Sequence, residues 1–119
     1  MYNCSAHSNG RNINFGSSNI ASSLTIKNSL SFAGGSGDSY QATATDITNN
    51  SWQDGLEASS IDFVSIDLDA LSAPRKADGS LPDVQYLHLK SDSDLIDKGV
   101  DVGLDYSGSA PDLGAFEHK

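Results

Sequence analysis

The side chains of this sequence that could carry chemistry are mainly carboxylates, since Asp and Glu number 16 against 7 Lys and Arg. Residues 92–97 begin like a calcium-binding EF-hand loop. The likeness fails because Leu95 and Ile96 stand where that loop needs oxygen ligands and a turn glycine. We therefore expect no metal site in this chain. Asp97 and Asp112 are interpreted as carboxylates that accept backbone N–H bonds in tight turns.

Two cations are candidates for binding a negatively charged ligand. Arg11 lies in a predicted loop and Lys27 follows a predicted strand. Either can contact a carboxylate, and Arg11 can do so through two parallel N–H bonds. The competing interpretation is that both are ordinary exposed cations. His7, His88 and His118 lack metal-ligand spacing, and no nucleophile turn is present, so we assign no catalytic residue.

The net charge of −9 limits the classes of partner. Residues 1–53 are balanced, whereas residues 54–119 hold five cations and fourteen carboxylates. An acidic surface repels phosphate, which disfavours nucleic-acid binding. No apolar run approaches the length of a membrane span, so no membrane insertion is expected. The single cysteine, Cys4, excludes an internal disulfide.

A weak internal repeat predicts the coils that would position the candidate side chains. Asn3–Ala6 aligns with Lys27–Leu30 and again with Asn49–Trp52. Repeats at such intervals are typical of solenoids, in which like residues stack above one another. On this alignment Asn28 and Asn50 form an asparagine ladder, and Cys4 takes the same position as a small buried side chain. Chance similarity in an Asn- and Ser-rich chain is the alternative.

Alternating apolar residues predict short strands, and no window keeps an apolar helical face, so long helices are not expected. The predicted strands are Ile13–Phe15, Leu24–Ile26, Leu30–Phe32, Ile61–Leu68 and Tyr86–Leu89. Ser93 can cap one helical turn through Ile96, and Asp78-Gly79 predicts a turn within an irregular connection.

The last residues should run as an extended tail against the solenoid. Burial of the four large apolar side chains there would anchor it. These side chains are Leu104, Tyr106, Leu113 and Phe116.

Three stretches together carry a resemblance to a known family. They are Ser93-Asp94-Leu95-Ile96-Asp97-Lys98-Gly99, then Pro111-Asp112-Leu113-Gly114-Ala115-Phe116-Glu117, and the connection Ala73–Pro82 before them. They resemble the C-terminal closing segment of secreted right-handed parallel β-helix proteins. With Asp62-Phe63-Val64-Ser65 included, the stretch is most similar to polysaccharide lyase family nine, the calcium-dependent pectate lyases.

The resemblance implies an all-β fold, a fragment of a right-handed parallel β-helix with about three coils and a folded-back closing tail. Residues 1–53 would be terminal coils, and residues 54–119 closing strands and tail, within a single domain of a larger chain. The implied function is the C-terminal part of a secreted, calcium-dependent pectate or polygalacturonate lyase, which cleaves uronate chains by β-elimination. The catalytic aspartate cluster and lysine are expected upstream, so this chain alone should be inactive.

The same resemblance implies calcium in the parent enzyme and none in this fragment, with acidic polysaccharide as the parent's partner. Arg11 and Lys27 are then candidate substrate-binding residues for uronate carboxylates. The protein would be secreted or periplasmic, with its signal upstream of Met1. If upstream coils are missing, the open first coil should self-associate or carry an unusual amino-terminal cap, because its strand edges lack partners.

Two other functions stay open at this point. A non-catalytic β-helix module that binds carbohydrate or acts as an adhesin would fit coils without an aspartate cluster. A polygalacturonase on the same scaffold would need paired carboxylates, which residues 1–53 do not supply.

Overall fold

A computed structural model describes residues 1–16 and 22–119, and its regular elements are short. The strands are β1 (Ser5–His7), β2 (Ser23–Lys27), β3 (Leu30–Phe32) and β4 (Ala44–Thr48), and the helices are single 3₁₀ turns at Ser60–Asp62 and Asp69–Ser72. The described part of the chain contains no long helix, as the missing helical periodicity predicted. It also contains no helix that is long and apolar enough to span a bilayer.

The strands stack in parallel, each above a strand that comes one coil later. β1 pairs with β3, which sets Ser5 opposite Leu30, and β2 pairs with β4, which sets Ser23 opposite Ala44. The number of residues that separates paired positions is therefore slightly larger for β1 and β3 than for β2 and β4. Parallel pairing of successive coils is the parallel β-helix architecture that the sequence predicted.

Two of the predicted strands in the first half are confirmed, and one is wrong. β2 contains Leu24–Ile26 and β3 is Leu30–Phe32. In Ile13–Phe15 only Asn14 makes a bridge, to Ser39, because Asp38 rather than a strand accepts the N–H of Ile13. The strand β4 was not predicted, because four of its five residues are exposed and its sequence, Ala-Thr-Asp-Ile-Thr, shows little apolar alternation.

The predicted strand Ile61–Leu68 is wrong, and the carboxylate of Asp62 gives the physical reason. Asp62 accepts hydrogen bonds from the backbone N and the Oγ of Ser59, at 2.8 and 2.9 Å, which folds this stretch into a 3₁₀ turn. Downstream, the pairing is reduced to single bridges at Phe63 and Ser65.

The other elements of the second half are also shorter in the structure than predicted. Tyr86–Leu89 makes two separate bridges rather than a strand, because Leu87 has a φ of 57° and interrupts the extended backbone. Ser93 accepts the N–H of Leu95 in a turn that does not continue as a helix. The turn at Gly79 is as predicted, with a φ of 84°.

The apolar core joins the second coil to the C-terminal half. Leu30 packs there with a set of buried side chains that all come from beyond residue 60, namely Phe63, Leu87, Leu89, Leu95 and Leu113. Burial of this cluster is the main apolar contribution to stability in this region.

Only one of the four apolar side chains predicted to anchor the tail is buried. Leu113 is buried, but Leu104 is 52% exposed, and Tyr106 and Phe116 are each 40% exposed. Hydrogen bonds hold the tail in addition to the buried Leu113. Gly114 donates its N–H to the carbonyl of Asn28 at 2.9 Å, within the coils.

Candidate functional site

The asparagine ladder lies one residue away from its predicted position. The observed register sets Ser5 opposite Leu30 and so places Asn3, not Cys4, beneath Asn28. Asn3, Asn28 and Asn49 all adopt positive φ, at 46°, 54° and 55°, which asparagine tolerates better than most residues. The Nδ2 of Asn28 donates to the Oδ1 of Asn3 at 3.0 Å. Cys4 is exposed, so its predicted role as a buried filler is wrong.

Asn50 is buried but belongs to a different network. Its Oδ1 accepts the N–H of Ser29 at 2.9 Å, and its Nδ2 donates to the carbonyl of Ile26 at 3.0 Å. The side chain therefore links two coils through backbone groups, and its Nδ2 also donates to the Oε1 of Gln53 at 2.9 Å. Both asparagines satisfy buried polar groups, which is a structural role.

Asn28 also connects the coils with the tail. Its Oδ1 accepts the N–H of Val100 and its Nδ2 donates to the carbonyl of Val100, both at 2.8 Å. Gly99 makes this approach possible, because a Cβ there would lie 2.9 Å from the Oδ1 of Asn28. Sequence reasoning missed this junction, since the partners are 72 residues apart.

The tail carboxylates behave as the sequence predicted. Asp112 is buried and accepts the backbone N–H groups of Asp97 and His118. Asp97 accepts those of Ser109 and Ala110, at 2.9 and 3.1 Å. The N–H of Ala110 is the main cause of a lowered pKa at Asp97. Both carboxylates are engaged in holding the backbone of the tail.

Lys27 is paired within the coils. Its Nζ lies 2.8 Å from the Oδ2 of Asp46 on the neighbouring strand β4. The hydrogen bond to Asp46 raises the pKa of Lys27 above its ordinary value. A raised pKa disfavours a role as general base, and the charge of the amine is already paired with that of Asp46.

Arg11 is the more available of the two candidate cations. It is exposed, its backbone bridges Ser36, and no ion pair reaches it within residues 1–16 and 22–119. The structure does not bring the two cations to one position of the coil, because Lys27 bridges Tyr2 and Arg11 bridges Ser36. The role of both residues in substrate binding stays a prediction.

The side chains of the described residues that could bind a metal are not clustered. No group of three or more His, Cys, Asp or Glu among them can hold a metal ion. His7 contacts the hydroxyl of Tyr86 through Nδ1 at 2.6 Å and stacks on Phe32. Burial lowers the pKa of His7. The ring of His88 stacks on that of Phe116. His7 and His88 thus belong to separate aromatic contacts.

The chain resembles known pectate lyases over its whole length, although no protein-family model matches it. It is 40% identical over 122 residues to pectate lyase L of Dickeya chrysanthemi and 39% identical to pectate lyase L of Dickeya dadantii. It covers 28% of each relative. The crystal structure of pectate lyase Pel9A superposes with a TM-score of 0.83 at 38% identity, over 99% of this chain and 29% of that one. The resemblance predicted from the sequence is confirmed.

Proposed function

We propose that this chain is the C-terminal closing part of a secreted, calcium-dependent pectate or polygalacturonate lyase. The observation that carries the proposal is that the whole chain matches less than a third of pectate lyase L. In this proposal residues 1–53 form about three terminal coils of a right-handed β-helix. Residues 54–119 pack on them as closing strands and tail, within the same domain.

The contacts between tail and coils support a closing role. Gly114 donates to the carbonyl of Asn28, and Ala115 donates to the Oγ of Ser5 at 2.9 Å, so the tail contacts two successive coils. The Nδ2 of Asn49 adds a bond to the carbonyl of Lys98. A segment held in this way covers apolar side chains that stacked coils would otherwise leave open to water.

The chemistry of β-elimination is assigned to other parts of the parent enzyme. Calcium would neutralise the uronate carboxylate there and acidify the neighbouring proton, which a basic side chain removes. The residues described here do not fit a calcium site, because Asp97 and Asp112 are occupied by backbone N–H groups. Within this proposal Arg11 is the better candidate for contact with a uronate, since Lys27 is neutralised by Asp46.

The proposal also assigns a location and partners. The parent would be secreted or periplasmic and would bind acidic polysaccharide. In the 119-residue chain alone, β1 pairs on one side only within the described residues. A cleft of about 260 Å³ beside it is lined by Ile13, Phe15 and Leu30. We expect self-association at this open end.

A lyase assay of the isolated chain tests the assignment. Polygalacturonate is incubated with the chain, with and without calcium, and the unsaturated product is followed by its ultraviolet absorbance. We expect no product, whereas pectate lyase L serves as the positive control. Calcium-dependent product from the isolated chain would contradict a purely closing role.

A further inference from the structure

A cleft of the described residues lies outside the coils. It has a volume of about 680 Å³ and is lined only by residues between Val64 and Lys119. This volume is in the range of small-molecule sites, roughly 300–1,000 Å³. None of the lining residues belongs to 1–53, so the cleft is separate from Arg11, Lys27 and the stacked strands.

Aromatic side chains form much of its wall. The rings of His88 and Phe116 stack with centroids 4.2 Å apart and planes 17° from parallel. Tyr106 also lines the cleft, and Tyr106 and Phe116 each keep 40% of their surface exposed. Flat aromatic faces that stay accessible are suited to packing against the C–H faces of a pyranose ring, while the phenol hydroxyl provides a polar contact.

Polar side chains supply hydrogen-bonding groups beside the aromatic ones. Gln85, Asp105 and Ser107 line the same cleft and offer an amide, a carboxylate and a hydroxyl. A carbohydrate ligand needs this combination, because each sugar unit presents several hydroxyls around an apolar ring face. The same mixture of aromatic surface and a few polar groups is typical of ligand sites in general.

The cleft wall is held in place by the tail carboxylates. Glu117 accepts the N–H of Ser107 through Oε2 and that of Asp112 through Oε1, both at 3.2 Å. The buried Asp112 in turn accepts the N–H of His118 at 2.6 Å. These bonds fix the backbone on both sides of Phe116, so a ligand would meet a preformed surface and lose less entropy on binding.

We propose that this cleft is a binding site for uncharged sugar units of a polysaccharide. Charge disfavours uronates, because two carboxylates, Asp105 and Glu117, line the cleft beside one lysine, Lys119, and the chain as a whole carries −9. A metal is excluded as the ligand because the His, Asp and Glu residues described here form no cluster of three. The inference rests on the proposed function only for the choice of polysaccharide as ligand.

An NMR titration of the complete chain tests the site. Neutral oligosaccharides of galactose, glucose and arabinose are the probes, and oligogalacturonate is the acidic comparison. At least one neutral probe should shift the backbone amides of Ser107 and Phe116 in a saturable way. Phe116→Ala and Tyr106→Ala should each weaken binding about tenfold, the effect of one lost aromatic contact. The control Tyr2→Ala removes a tyrosine of similar exposure that lies outside the cleft, and it should leave binding unchanged.

Phe116→Leu serves as a second variant, because it keeps apolar volume at the position and removes the ring. It should also weaken binding while preserving the amide spectrum of the folded chain. The inference is overturned if no neutral probe binds, if oligogalacturonate alone binds, or if the ring variants bind as tightly as the unaltered chain. None of these results bears on the lyase assay, so this site and the proposed closing role can fail independently.

Discussion

Replacing Asn28 by alanine should destabilise the fold far more than a solvent-exposed substitution would. The Asn28 side chain is fully buried and makes three hydrogen bonds, one to Asn3 and two to the backbone of Val100. Alanine keeps none of them. It must also adopt the φ of 54° that asparagine tolerates at this position.

The magnitude follows from these contacts. Each hydrogen bond contributes about 1 kcal/mol net, so the three together contribute about 3 kcal/mol. The left-handed conformation adds about 1 kcal/mol for alanine. We therefore expect Asn28→Ala to lower the free energy of unfolding by about 4 kcal/mol, a large share of the stability of an ordinary domain.

Asn49→Ala is the matched control for this experiment. Asn49 has nearly the same φ, 55°, but its side chain makes one bond to the tail, to the carbonyl of Lys98. One lost hydrogen bond and the left-handed conformation together lower the free energy of unfolding by about 2 kcal/mol. Urea denaturation should place the two midpoints about 1 M apart, given ordinary denaturant sensitivity for a domain of this size.

Hydrogen exchange at the Val100 amide provides a local readout of the same contact. This N–H donates to the Oδ1 of Asn28, so Asn28→Ala should speed its exchange more than Asn49→Ala does. A shared urea midpoint for the two variants, or equally fast exchange of the Val100 amide in both, would contradict this role of Asn28. Either result would mean that the junction between coil and tail contributes little.

The remaining predictions concern close packing, acid stability and assembly. Gly99→Ala should destabilise the chain, because the new Cβ would lie 2.7 Å from the carbonyl oxygen of Pro111, whereas Gly10→Ala meets no atom within 4 Å and should be neutral. Asp97 has a lowered pKa, so its contribution to stability is present above the ordinary value of 3.8 and is lost as pH falls through its folded-state pKa. Asp97→Asn should remove that part of the acid-denaturation curve. The isolated chain should self-associate with rising concentration by light scattering, and Phe15→Lys at the open end should weaken this.

Each of these predictions has an outcome that contradicts it. Equal melting temperatures for Gly99→Ala and Gly10→Ala would show that the tail can move away from the coil at no cost. An unchanged acid limb in Asp97→Asn would remove this carboxylate from the account of acid unfolding. A monomer at every concentration, in the unaltered chain as in Phe15→Lys, would contradict pairing at the first coil.

The solenoid was predictable from local patterns, because stacked coils repeat residue types at similar intervals. The register of the asparagine ladder was harder to predict from the sequence. The sequence repeat aligned Cys4 with Asn28, whereas the observed strand pairing aligns Asn3 with it instead. Because the two pairs of coils differ in length, the repeat has no single period, and residue identity alone cannot choose between neighbouring alignments.

The second half was harder to predict because side-chain hydrogen bonds override apolar patterning there. Asp62 turns a predicted strand into a 3₁₀ helix, and carboxylates rather than aromatic burial hold the tail. Tyr106 and Phe116 were expected in the core, yet they line an open cleft. Such long-range bonds leave no periodic signal in a sequence. The family resemblance, by contrast, depended on short motifs and was visible directly.

The activity of a chimera would show whether this chain can close a pectate lyase. This chain would replace the segment that it matches in pectate lyase L of Dickeya chrysanthemi, and calcium-dependent cleavage of polygalacturonate would be compared with that of the parent and of a version without the segment. If this chain is a closing segment, the chimera should be folded and active, and the version without the segment should lose its fold. A chimera that is folded but inactive, or a deletion that is as stable and active as the parent, would contradict the account.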